Sequence, residues 1–268
     1  MSDEPLVITR RDGPVAIISL NRAGAFNAFD ADTITALWQA LRAVGRDDAV
    51  RVVVLTGEGK AFCAGGDLKS ILGLNPGAPG EAFYELATVF HQAITEIRNM
   101  RKPVIAAVNG VAAGGGFSMA LACDLRVMAR SAFLQQAYTA AGLAIDGGGT
   151  WTLPRLVGLA KALEIAMLDE RIDADTALSL GLATRVVDDG AALDEALAMA
   201  HKLAAKAVAN LGRVKLMLRS SFEAQLEQRL EDERIALAES ANAPEGFEGL
   251  TAFSEKRKPV FDDPEKSS

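Results

Sequence analysis

The chain alternates short apolar runs with longer stretches of helical periodicity. Leu6 to Ile8, Val15 to Leu20, Val50 to Thr56, Val104 to Val108 and Leu125 to Met128 have the length and the β-branched content of buried strands. Asp30-Ala31-Asp32-Thr33 predicts the start of an amphipathic helix running to about Val44, with Asp or Thr as N-cap. A second helix is predicted from Glu81 to Asn99, ending before Lys102-Pro103, and the breakers in Asn75-Pro76-Gly77-Ala78-Pro79-Gly80 predict a loop. After Pro154 the pattern changes. From Ala160 onward Ala, Leu, Glu and Lys dominate, helices are predicted over Ala191 to Ala207 and Phe222 to Ser240, and only Thr184 to Val187 reads as a strand. The expectation is an α/β core over residues 1–195 followed by a helical region over 196–268, with no repeat visible as sequence identity.

Composition narrows the function. Half of the 268 residues are hydrophobic, but no apolar run reaches the roughly 18 residues of a membrane span, so no membrane association is expected. Met1-Ser2-Asp3-Glu4-Pro5 is acidic where a targeting segment would be basic, which makes the cytoplasm the default location. Two cysteines, Cys63 and Cys123, and two histidines, His91 and His201, lack metal-ligand spacing, so neither zinc nor a disulfide framework is expected. A net charge of -7 argues against nucleic acid as partner, and a polyanionic ligand would have to be met by local cations.

Two glycine-rich segments carry the candidate chemistry. Val52-Val53-Val54-Leu55 leads into Thr56-Gly57-Glu58-Gly59-Lys60-Ala61-Phe62-Cys63-Ala64-Gly65-Gly66-Asp67, with a helix from Leu68 to Leu72. Val104 to Val108 leads into Asn109-Gly110-Val111-Ala112-Ala113-Gly114-Gly115-Gly116 and an apolar helix over Phe117 to Ala122. Each reads as a strand delivering the chain to a glycine turn at a helix start, where unpaired N–H groups suit an anion or a developing oxyanion. Glycines that merely permit tight turns would look the same. The spacing fits neither a P-loop nor Gly-x-Gly-x-x-Gly, and Gly116-Phe117-Ser118-Met119-Ala120 is not a nucleophile elbow.

Ala61-Phe62-Cys63-Ala64-Gly65-Gly66-Asp67-Leu68, followed by Lys102-Pro103-Val104 through Gly114-Gly115-Gly116, resembles the paired oxyanion-hole signature of the crotonase (enoyl-CoA hydratase/isomerase) superfamily. Asn21-Arg22, Cys123-Asp124, Leu153-Pro154-Arg155-Leu156-Val157-Gly158 and Ala252-Phe253 to Lys258 extend the likeness over nearly the whole chain. The resemblance implies a spiral of ββα turns with a C-terminal helical trimerisation region. It also implies an acyl-CoA thioester as substrate, with coenzyme A part of that substrate and no separate cofactor. By the same resemblance the N–H groups of Ala64 and Gly115 form the oxyanion hole.

The resemblance also locates the acid/base chemistry. Family hydratases hold water between two glutamates; here the matching positions carry Ser118 and Tyr138, neither of which titrates near neutrality unperturbed. The remaining acid is Asp146, in Asp146-Gly147-Gly148-Gly149-Thr150-Trp151, a segment similar to that of the ring-epoxide phenylacetyl-CoA isomerases, where the Asp is the acid/base. An Asp-Gly turn with no chemical role would read alike. Burial among Leu143, Ile145 and Trp151 is expected to raise its pKa. His91 and Asp146 together also resemble the aryl-CoA dehalogenases, in which Asp is the nucleophile and His activates water, and Tyr138 fits that branch. An isomerase is the expectation; a hydratase, a dehalogenase or thioester hydrolase, and a non-catalytic acyl-CoA-binding protein are the alternatives.

For coenzyme A, the resemblance points to Arg22, Ala25 and Ala28 at the pantetheine entrance and to Gly66, Asp67 and Leu68 for the adenine. Phe253 and Lys256, in the basic run Lys256-Arg257-Lys258, would reach a neighbouring subunit's ligand in a homotrimer or dimer of trimers. Pocket walls are expected from Phe83 to Phe90 and from the helical end.

Overall fold

A computed structural model describes residues 4–74 and 77–261, excluding the side chain of Leu74. Asn75 and Pro76 of the expected loop, Met1, Ser2 and Asp3 of the acidic start, and residues 262–268 of the helical region lie outside the described residues.

The chain begins β1 (Val7–Asp12), β2 (Val15–Leu20), α1 (Ala31–Arg46), β3 (Val52–Gly57), β4 (Ala61–Cys63), α2 (Leu68–Leu74) and α3 (Pro79–Asn99). It continues through β5 (Val104–Val108), β6 (Val111–Ala113), α4 (Gly115–Ala122), β7 (Leu125–Ala129), β8 (Phe133–Gln135), α5 (Gly149–Val157) and α6 (Leu159–Leu168). β9 (Ile172–Asp173), α7 (Ala174–Ser179), β10 (Arg185–Val187), α8 (Ala192–Ala204), α9 (Val208–Ser220), α10 (Leu226–Asn242) and α11 (Pro244–Ser254) complete it.

The strands fall into two sheets, in the orders β1-β2-β3-β5-β7-β10 and β4-β6-β8-β9. In the turns opened by β3, β5 and β7 the first strand joins the six-stranded sheet, the second joins the four-stranded sheet, and a helix follows, whereas β1 and β2 of the first turn both lie in the larger sheet. β2, β3, β5, β7 and β10 run parallel, while β1 pairs antiparallel with β2. The spiral is thus a structural repeat that leaves no trace as sequence identity. It also corrects the expectation that each strand leads directly to a glycine turn: β4 and β6, three residues each, intervene and pair with each other.

The long strands read as unbroken apolar runs because both faces of the larger sheet are covered. Ala16, Ile18, Leu20, Val53 and Leu55 face the main core with Ile34, Leu37 and Leu41 of α1. Their neighbours Val15, Val52 and Val54 face Ala196, Met199, Ala200 and Ala204 of α8. α1 starts as its sequence dictates, with the Asp30 carboxylate accepting the Thr33 N–H at 2.8 Å.

α8 corrects the expected boundary at 195, which would cut this helix while its apolar face belongs to the core. The helical region proper begins with α9, and Asp124, just before β7, ties it down. Its carboxylate accepts the Val104 N–H at 2.8 Å, Lys215 at 2.7 Å and Arg219 at 2.9 Å. Of the remaining expectations, α3 begins two residues earlier than Glu81, at Pro79, and the stretch Ala191 to Ala207 ends at Ala204, before α9. The short strands β4, β6, β8 and β9 were not expected at all.

Candidate active site

The two glycine loops meet where the spiral brings β4 beside β6. An added Cβ at Gly65, whose φ is +93°, would stand 3.0 Å from the Gly115 nitrogen and 2.9 Å from the Ala113 carbonyl oxygen, so only glycine permits this approach. Gly115 is the first residue of α4, and its N–H precedes the first intrahelical bond, which runs from Ser118 N–H to the Gly114 carbonyl.

The first loop overturns one expected donor. The Ala64 N–H donates to the Phe26 carbonyl at 3.0 Å and is spent within the fold. Phe29 then forms an isolated parallel bridge with Gly66. That bridge uses the Gly65 carbonyl, 2.7 Å from the Phe29 nitrogen, and the Asp67 N–H, 2.7 Å from the Phe29 oxygen. The N–H of Gly66 itself therefore points away from Phe29, with no partner among the described residues. Gly66 and Gly115, not Ala64 and Gly115, offer the open pair of donors.

Both line a cavity of about 200 Å³ with Phe29, Leu68, Phe83, Leu86, Phe90, Tyr138, Leu143 and Asp146. The expected wall from Phe83 to Phe90 is present, and Phe29, which sequence reasoning missed, packs against Phe90 with ring centroids 5.2 Å apart and planes tilted by 46°. No residue of the helical end lines the cavity among the described residues, contrary to expectation.

Asp146 is the one carboxylate among these lining residues. Tyr138 donates from its hydroxyl to Asp146 Oδ1 at 3.3 Å, and Ser118 donates to the Asp146 backbone carbonyl at 2.7 Å. His91, on the outer face of α3, places Nε2 3.8 Å from Asp146 Oδ2. Burial pushes the Asp146 carboxyl above its ordinary range, and the opposing pull of His91 and Tyr138 does not cancel it. Burial, then the adjacent Asp146 charge, pushes the Tyr138 phenol up.

Local structure explains the placement. Ala137 adopts φ +53°, and the Asp169 carboxylate accepts the Ala137 N–H at 2.8 Å and the Ala140 N–H at 3.1 Å, fixing the segment that carries Tyr138. Gly147 and Gly148, at φ +61° and +74°, turn the chain over Ser118 into α5. Trp151 is not beside Asp146 as expected. The first turn of α5 carries it to the other side, between the guanidiniums of Arg98 and Arg155 at 4.1 and 3.8 Å.

The proposed CoA residues divide. Gly66 and Leu68 line the cavity; Arg22, Ala25, Ala28 and Asp67 stand outside its lining. Arg22 is a brace in this structure, donating to the Ala28 carbonyl at 2.6 Å and pairing with Asp30 and Asp67, each at 3.1 Å. Burial works to raise the Asp67 carboxyl, but the Ser70 N–H and the Arg22 guanidinium outweigh it and hold the group low. Phe253 is 86% exposed on α11, and Lys256 follows it at φ +56°; neither lines the cavity of its own chain. Cys63 packs in the core, its thiol pushed up to about 12 by burial.

Residues 10–264 match the enoyl-CoA hydratase/isomerase family. The chain is 35% identical over 256 residues to the 1,2-epoxyphenylacetyl-CoA isomerase of Escherichia coli K12, covering 95% of this chain and 97% of that protein. It is 32% identical to the short-chain-enoyl-CoA hydratase of Clostridium acetobutylicum, covering 94% and 95% of the two chains. A crystal structure of an enoyl-CoA hydratase from Polaromonas sp. JS666 superposes with a TM-score of 0.90 at 39% identity, covering 94% of this chain and 98% of that one. The protein belongs to the enoyl-CoA hydratase/isomerase family, the crotonase superfamily, whose members act on acyl-CoA thioesters. Both isomerase and hydratase names occur among its relatives.

Proposed function

We propose that the protein is an acyl-CoA isomerase that moves a double bond, or opens a ring, through a thioester enolate, with Asp146 as the single acid/base. The carrying observation is that Asp146 is the one carboxylate lining the cavity among the described residues, while Ser118 and Tyr138 both hydrogen-bond to it. With a 3-enoyl-CoA, the Gly66 and Gly115 N–H groups donate to the thioester oxygen as it gains charge. Asp146 removes the α-proton, the electron pair delocalises over the dienolate, and the same carboxyl returns the proton at the γ-carbon. The product is the 2-enoyl-CoA, with no water added. Tuning the carboxyl upward by burial suits a group that must both take and return a proton near neutrality.

The reading includes coenzyme A bound as part of the substrate, near Gly66 and Leu68, and cytoplasmic residence. It also includes a homotrimer or dimer of trimers built through the helical end. Exposed Leu226, Leu230, Leu237, Phe247 and Leu250 support that assembly.

The distance between His91 and Asp146 favours one second reading, a hydrolytic reaction in which Asp146 displaces halide from the ring of an aryl-CoA, or CoA from its thioester, and water activated by His91 cleaves the resulting Asp146 ester or anhydride. Incubation with 3-enoyl-CoA, 2-enoyl-CoA and aryl-CoA thioesters separates them. Interconversion of the two enoyl-CoA isomers supports the isomerase, 3-hydroxyacyl-CoA a hydratase, and free CoA or halide the hydrolytic reaction.

A further inference from the structure

Ser118 and Tyr138 come from different parts of the spiral, yet both end on Asp146. Ser118 is buried on α4, and its hydroxyl holds the Asp146 backbone carbonyl at 2.7 Å. The glycine turn is packed against this side chain. A Cβ at Gly149 would stand 2.8 Å from Ser118 Oγ, and one at Gly147 would stand 2.9 Å from Ser118 Cβ and collide with the Phe90 ring. A small side chain at 118 and glycines at 147 and 149 are therefore one fitted unit. Tyr138 reaches the other end of the residue, donating to Oδ1 at 3.3 Å. Oδ2 is left on the side of His91, 3.8 Å away.

We infer that Ser118 and Tyr138 are positioning residues that clamp Asp146 from two ends. Ser118 sets the backbone, Tyr138 fixes the carboxylate plane by occupying Oδ1, and Oδ2 is the oxygen that carries the proton between α- and γ-carbons. The inference rests on the assignment of Asp146 as acid/base. It adds that reaction specificity resides in the clamp, which gives one carboxylate a fixed face on the substrate in a wall that holds no second carboxylate among the described residues to activate water. The groups facing Asp146 that titrate are His91 from α3 and Tyr138 from its own segment, and Cys63 lies near enough to act on Tyr138.

The two contacts differ in what they touch, so their removal differs in signature. Tyr138→Phe keeps the ring and removes a donor to the ionised carboxylate. Its kcat on 3-enoyl-CoA should fall about 10-fold at constant KM, and the acidic limb of the kcat profile should move up by about one pH unit. Ser118→Ala removes a donor to the backbone carbonyl, so kcat should fall by a similar factor with the acidic limb in place. Asp146→Asn is the control. If it turns over at the wild-type rate, the acid/base assignment falls and the clamp with it. If it is inactive while Tyr138→Phe keeps the wild-type kcat and acidic limb, or while both substitutions act on KM alone, the clamp is wrong and the assignment stands.

Discussion

The Phe26 carbonyl lies 3.0 Å from the Ala64 nitrogen and takes its N–H. That bond leaves the Gly66 N–H, two residues along the loop, as the proposed thioester-polarising donor. The two positions make opposite predictions for substitution, because a backbone donor survives a methyl group and does not survive proline. An added Cβ at Gly66 meets only Ile71 Cδ1 at 3.4 Å. Gly66→Ala should therefore keep activity within a few-fold, whereas Gly66→Pro should lower kcat by about 10²–10³, the usual cost of one oxyanion donor. Steady-state kinetics with circular dichroism as a folding check decides this; full activity in a folded Gly66→Pro variant contradicts the assignment.

The raised Asp146 pKa sets the sign of the pH response. In the proposed reaction the group must be ionised to remove the α-proton, and burial holds it above its ordinary range. Activity should fall as pH drops through that raised value, so the acidic limb of kcat should lie above the roughly 3.9 of an unperturbed aspartate. A kcat profile measured from pH 4 to 9 tests this, and a limb at or below about 4 contradicts it.

The turn that presents Asp146 should resist side chains. Gly147 combines φ +61° with contacts to Phe90 and Ser118, whereas Gly142, at φ +72°, has nothing within 4 Å of an added Cβ. Gly142→Ala should show only backbone strain, about 1 kcal/mol, and near-normal turnover. Gly147→Ala should lose more, about 1–3 kcal/mol, and at least about 10-fold in kcat as the carboxylate shifts. Urea unfolding and kinetics on the pair separate strain from displacement.

Asp124 should be a stability residue with no role in chemistry. Its removal leaves Lys215, 9% exposed in its side chain, and Arg219 without their shared partner. Asp124→Ala is expected to cost about 3–5 kcal/mol in urea unfolding, since breaking a buried ion pair from one side leaves uncompensated charge. Substrate KM should be unchanged in the fraction that remains folded.

How far the sequence revealed this arrangement depends on the range of the information. β2 and β5 have the expected bounds because six-residue and five-residue apolar runs buried on both faces announce themselves. β4, β6 and β8 did not, because three residues are too few to show a period, and pairing between distant turns makes them strands. The glycine loops suggested open backbone donors for a carbonyl oxygen, but which N–H remains open depended on where Phe26 and Phe29 spend their hydrogen bonds. Likewise Asp146 was legible as the remaining acid, whereas the approach of Ser118 from 28 residues away was not. Trp151, five residues after Asp146 in sequence, was misplaced because a helical turn separates the two side chains.

The central claim is that Asp146 shuttles one proton across an enolate without adding water. The most direct test resolves the products of 3-enoyl-CoA incubated with the wild-type protein and with Asp146→Asn. The wild type is expected to give 2-enoyl-CoA and no 3-hydroxyacyl-CoA, and the variant to lose turnover while still binding the thioester. Accumulation of 3-hydroxyacyl-CoA by the wild type, or undiminished isomerisation by Asp146→Asn, would contradict it.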